Sequence, residues 1–222
     1  MSNVPRAVTT YRVRGCGVEQ VFLAAAGVVA VVGITILLMS SDRDQRRRAE
    51  LAAFAAERGW RAGSAGRWRE RLPTGDAGNQ VKLQYDGTWR GLPVSVAEYR
   101  FFQDDPEEGR ITHHLAVFVV HLAGAHPRIT VRAKGVLSRR RSGDHVVGDE
   151  RFDRHFLVRT DSPELAARVL TPALVDAHVR GEVPPWSLAG GHLVAHWPGR
   201  VRVEAVPDRL DALLTVAELL GG

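Results

Sequence analysis

Apolar and polar positions divide the chain into two regimes. Val21 to Met39, VFLAAAGVVAVVGITILLM, is a run of nineteen residues without a charge, and Gln20 to Ser41 is uncharged throughout. About 20 helical residues cross a hydrocarbon core some 30 Å thick. In lipid such a segment must satisfy its own backbone hydrogen bonds, which for one isolated run means a helix. The pattern therefore predicts a flexible tail at 1–20 and a transmembrane helix at 21–41. The run is longer than the apolar core of a signal peptide, about 7–15 residues. No small-residue cleavage site follows it either, since Met39 leads into Ser40-Ser41-Asp42-Arg43. An uncleaved anchor is expected.

Beyond the anchor the period changes twice. Residues 42–59 read as a juxtamembrane helix, with Leu51, Phe54 and Ala55 at i, i+3, i+4 spacing and Gly59 as its stop. Residues 61–79, rich in Arg, Gly and Ala, read as a loop. From Val81 the period is two. Val81, Leu83 and Tyr85 alternate with polar neighbours, and Asp86-Gly87 reads as a hairpin turn. A return strand follows, interrupted by Gly91 and Pro93, then a polar loop from Gln103 to Gly109. Ile111 to Leu122 is apolar on both faces in its middle, the mark of a central strand. Further strands are expected after Pro127, at Phe152 to Arg159, on either side of Gly190-Gly191 and at Val201 to Val206. Two helices close the pattern. One opens at Asp161-Ser162-Pro163-Glu164 and runs to Gly181; the other is capped by Asp208, with Leu210, Leu213, Leu214, Ala217 and Leu220 on one face. Strands first and helices late predict an α+β fold, a mainly antiparallel sheet with two helices in the C-terminal half, in one domain over 60–222.

Charge fixes the expected topology. The N-terminal flank of the apolar run carries Arg6, Arg12 and Arg14; the C-terminal flank carries the denser cluster Arg43, Arg46, Arg47 and Arg48. Basic residues near a span favour the cytoplasmic side, so the domain is expected there, at a cell membrane crossed once. The sole cysteine, Cys16, precedes the run, so the domain has no disulfide, which suits a reducing compartment without requiring one. Ala26, Ala30 and Gly33 form a small-residue stripe that would let two anchors pack as a homodimer.

The formal charge of +5 brings nucleic acid to mind, but the excess is dispersed. No basic face with base-reading or stacking partners is visible, and the one other cluster, Arg139-Arg140-Arg141, reads as a solvated loop. Among nine histidines, His192 and His196 have an H-x-x-x-H spacing. The flanking glycines make that segment a strand, on which four residues span about 13 Å, too far for one zinc ion. His113 and His114 point to opposite faces of their strand, and His113 and His121 share one. The acidic run Asp104-Asp105-Pro106-Glu107-Glu108 reads as a turn, and the five tryptophans as packing residues. No phosphate loop, dinucleotide fingerprint, nucleophile elbow or calcium loop occurs, so no catalytic residue, metal ligand or cofactor is assigned.

Several segments resemble a group of uncharacterised, single-pass membrane-anchored proteins of high-GC actinobacteria. They are FAAERGW (Phe54 to Trp60), YDGTWRGLPVSVAEY (Tyr85 to Tyr99), RFDRHFLVRTDSPELAARVL (Arg151 to Leu170) and the W-x-L-x-G-x-x-L stretch at Trp186 to Leu193. These are packing and turn residues. The resemblance implies an anchored α+β domain and carries over no site. Three function classes stay open. The first is a non-enzymatic tethered domain that binds a protein partner or the membrane surface. The second is a small-molecule or lipid-binding domain with a pocket between sheet and helix, lined by Trp or His. The third is an enzyme of unrecognised type.

Overall fold

The structure, a computed structural model, describes residues 42–64, 66–72, 80–124, 126–135 and 144–221. The expected tail and transmembrane helix, Cys16, the Ala26, Ala30 and Gly33 stripe and the Arg139 to Arg141 cluster lie outside these residues. Among those described, no helix is long and apolar enough to cross a membrane.

The chain divides into two units, 1–48 and 49–222. In the first, residues 42–48 are helical, as expected. Here Arg46 pairs with Asp42 at 2.8 Å, while Arg47 and Arg48 pair with Asp44 at 2.7 and 3.1 Å. Three arginines of the basic cluster thus have carboxylate partners one turn earlier. An exposed pair such as Arg46–Asp42 contributes about 0.3–0.5 kcal/mol.

The second unit is built on a nine-stranded sheet: β1 (Arg61–Ala62), β2 (Gln80–Trp89), β3 (Leu92–Asp105), β4 (Gly109–His121), β5 (Ile129–Ala133), β6 (Asp144–His145), β7 (Phe156–Thr160), β8 (Trp186–Ala189) and β9 (His192–Pro198). Their order is β1-β2-β3-β4-β9-β8-β5-β7-β6, and neighbouring strands run antiparallel. Its helices are α1 (49–57), α2 (Glu150–His155), α3 (Pro163–Val169), α4 (Pro172–Val179) and α5 (Val206–Leu219). The α+β class and the mainly antiparallel sheet agree with the sequence pattern.

Four expectations need correction, each for a local reason. The β2–β3 hairpin turns at Arg90-Gly91, not at Asp86-Gly87, which lies inside β2. Arg90 and Gly91 both have positive φ, 46° and 87°, as a tight two-residue hairpin requires. The expected strand at Phe152 begins only at Phe156, because the Asp149 carboxylate caps a helix by accepting from the Phe152 amide. The single helix expected at 163–181 is two. α3 ends at Leu170, and Thr171 with Pro172 starts α4, Thr171 capping the Leu174 amide. The strand expected at Val201 to Val206 is a 3-10 turn, Val203–Ala205, that leads into α5. The C-terminal half therefore holds four described helices rather than two.

The sheet carries a core on each face, which explains why β4 is apolar on both sides. On one face Val94, Val96, Ala116, Phe118, Val120, Leu193 and Ala195 pack with Leu51, Phe54 and Ala55 of α1 and with Leu210, Leu213, Leu214 and Ala217 of α5. On the other, Ala97, Tyr99, Leu115, Val117, Val119 and Val194 meet Trp68 and Leu72, brought over by a 3-10 turn at Arg67–Arg71. Among the described residues that second cover is short. At one end of the sheet each face opens into a cleft.

Candidate functional site

The cleft on the helix face is apolar. It encloses about 410 Å³ between the start of β3, the loop after β4 and the C-terminal turn of α5. Leu92, Leu122, Ala123, Ala217 and Leu220 form the walls, and His126 and Glu218 are the polar groups at its rim. Asp211 of α5 fastens two of these walls together. Its carboxylate accepts from Trp89 Nε1 at 2.7 Å and from Arg90 Nη2 at 2.6 Å, tying the β2–β3 hairpin tip to the helix. His126 secures the third wall, its Nε2 donating to the Ala123 carbonyl at 2.9 Å. A carbonyl only accepts, so that nitrogen carries the proton.

The cleft on the opposite face, about 370 Å³, is more open and has polar side chains along its floor. Its floor is a row of side chains from four adjacent strands. Gln84 and Asp86 come from β2, Ser95 from β3 opposite Asp86, His121 from β4, and His192 from β9 opposite His121. They form one hydrogen-bonded chain. Gln84 Nε2 and Ser95 Oγ both donate to Asp86 Oδ1, at 2.7 and 2.6 Å. Ser95 Oγ meets His121 Nε2 at 2.8 Å, and His121 Nδ1 meets His192 Nδ1 at 3.0 Å. Burial, and then the neighbouring His192, push the His121 imidazole below its ordinary pKa, against the opposing pull of Asp86. Two glycines make room for this chain. A Cβ on Gly63 would lie 2.0 Å from Asp86 Oδ2, and one on Gly191 would lie 2.8 Å from the Leu122 carbonyl oxygen. Gly191 also has φ of 81°, and its carbonyl accepts from the Leu122 amide at 2.7 Å, which sets His192 beside His121.

The sequence candidates are placed as follows. β9 is a strand, so His192 and His196 stand apart on it, and His192 instead meets His121. His113 stacks on Phe101 at 4.9 Å. Among the described residues no group of three or more His, Cys, Asp and Glu is placed to hold a metal ion. The Asp104 to Glu108 run is a turn in which Asp105 accepts from the Glu107 and Glu108 amides, which lowers its pKa. Trp60, Trp68 and Trp186 are buried, and Trp89 and Trp197 pack against the core. The pocket expected between sheet and helix exists, with a His at its rim but no Trp in its lining. Asp86 was hidden because Asp-Gly spells a turn. Nothing in the sequence marks Leu92, Leu122 and Leu220 as cavity walls rather than core.

No family model matches this chain, and no curated protein does. Among solved structures it is similar in fold to the mycobacterial trehalose monomycolate transport factor A, TtfA. The TM-score is 0.53 at 16% sequence identity, covering 79% of this chain and 93% of that one. At that identity the likeness is one of fold. The neighbour is described as a transport factor rather than an enzyme.

Proposed function

We propose that this protein is a non-enzymatic, membrane-tethered domain that holds the acyl chain of an amphipathic lipid in the cavity between β3, β4 and α5. The observation that carries this reading is the cavity itself. Apolar clefts of some 300–1,000 Å³ with a few polar groups are the usual form of small-ligand sites, and an alkyl chain is what walls of Leu and Ala accept without leaving a polar group unpaired. Two observations support it. The apolar run at 21–41 would hold the domain beside a bilayer, with Arg43 and Arg46 to Arg48 on the cytoplasmic side. The fold-level neighbour is described as a transport factor for trehalose monomycolate, a mycolate-bearing cargo. Docking of a protein through an apolar face has less support, since Val146 is the one exposed large hydrophobic among the described residues.

The test is photolabelling in the native membrane with a photoactivatable fatty acid, followed by mapping of the labelled peptides. Labels at 122–124 and 217–221, lost when Ala123→Trp closes the mouth, are expected. Labels confined to 21–41 would contradict the reading.

A further inference from the structure

The polar cleft needs its own explanation, because its hydrogen-bond chain is more ordered than a solvated sheet face requires. The direction of that chain follows from chemistry. A carboxylate only accepts, so Asp86 orients the Gln84 amide with Nε2 toward itself and takes the Ser95 proton. The Ser95 hydroxyl has then spent its only hydrogen, so His121 Nε2 must be the donor to Ser95 Oγ. A neutral His121 protonated at Nε2 has a bare Nδ1, so His192 Nδ1 must donate to it. In the neutral tautomer that donates from Nδ1, His192 presents an unprotonated Nε2. The chain thus runs from His192 to Asp86, and the second Gln84 Nε2 hydrogen is left outside it.

The cleft also carries acceptors. They are His192 Nε2, Asp86 Oδ2 and the Gln84 amide oxygen. The last is the informative one. Gln84 is 5% exposed, and its Oε1 is buried without a hydrogen-bond partner among the described residues. An unmet buried acceptor costs about 1–3 kcal/mol and is tolerated where a ligand meets it. Ser64 adds a hydroxyl at the rim, and Trp68 and Pro93 add apolar surface.

We infer that this cleft, on the sheet face opposite the proposed acyl cavity, is a binding site for a polyhydroxylated ligand, a sugar or polyol whose hydroxyls donate to Gln84 Oε1, Asp86 and His192 Nε2. Such a ligand supplies several neutral donors at close spacing together with C–H faces for Trp68 and Pro93.

The test uses the full-length protein in lipid nanodiscs, which avoids glycoside detergents. Long-range proton–nitrogen NMR of the imidazoles reads the tautomers, expected to be Nε2–H for His121 and Nδ1–H for His192. Titration with D-glucose, maltose and myo-inositol into the tens of millimolar should move the His192 Nε2 resonance and the amides of residues 84, 86 and 95 saturably. Gln84→Met keeps the volume and the His121–His192 tautomers but should weaken binding about tenfold, the worth of one hydrogen bond. Four results would overturn the inference: no response to any of the three probes, equal affinity in Gln84→Met, the opposite tautomers, or a response to zinc chloride at His192 Nδ1 with none to the sugars. Acyl photolabelling at 122–124 and 217–221 is read separately, so either site can fail while the other stands.

Discussion

His178 of α4 is 2% exposed, enclosed by the rings of Phe152, Phe156 and Trp186. Trp186 Nε1 donates to His178 Nε2 at 2.9 Å, which places the imidazole proton on Nδ1. Burial pushes the pKa down from 6.5 to about 4. The unfolded chain therefore binds a proton that the folded chain refuses, and stability rises with pH across that window. Full stability is expected above pH 6.5, with a loss of roughly 3 kcal/mol accumulating as pH falls to about 4. Urea melts across this range should show that slope, and His178→Leu should flatten it; an equal slope in the variant would assign the loss elsewhere. A second residue-scale prediction concerns Gly63. Its added Cβ would collide with the Asp86 carboxylate, which accepts from Gln84 and Ser95. Gly63→Ala should therefore lower the melting temperature through the loss of those hydrogen bonds, and shift the imidazole nitrogen resonances of His121 and His192.

At the scale of elements, the hairpin tip and α5 form a single clamp. Asp211→Ala removes the acceptor for both Trp89 and Arg90. Arg90 is largely exposed, so its ion pair is screened, and the expected cost is about 1 kcal/mol, mostly from the indole left without a partner. Hydrogen exchange should rise at 89–92 and near the end of α5, with β4 and β9 unchanged; uniform exchange across these elements would remove the clamp. The same hairpin shows what was legible in the sequence. Alternation from Val81 revealed two strands, but Asp-Gly is the stronger turn signal and Arg-Gly the weaker, so the turn was misplaced by four residues. Tertiary demand decided it, because Asp86 is required beside Ser95. β4 was legible as central because both of its faces are apolar. Helix α2 was not, since a six-residue helix stands on one cap, Asp149, inside a stretch that otherwise reads as strand.

At the scale of the whole molecule, one sheet end presents an apolar cavity on one face and a row of acceptors on the other. The polar row was half visible in the sequence. His121 and His192 drew attention as histidines on strands, but antiparallel register alone brings them together across a sequence separation of 71. The cavity was not visible, because a Leu that lines a void and a Leu that fills a core obey the same pattern. The central claim is that this void takes an acyl chain. It is tested most directly by isotope-filtered NOE spectroscopy on the full-length protein in nanodiscs of deuterated lipid, with a protonated fatty acid added. The account predicts saturable cross-peaks from the acyl methylenes to the methyl groups of Leu92, Leu122, Ala217 and Leu220. Cross-peaks to residues 21–41 alone, or none at saturating ligand, would contradict it.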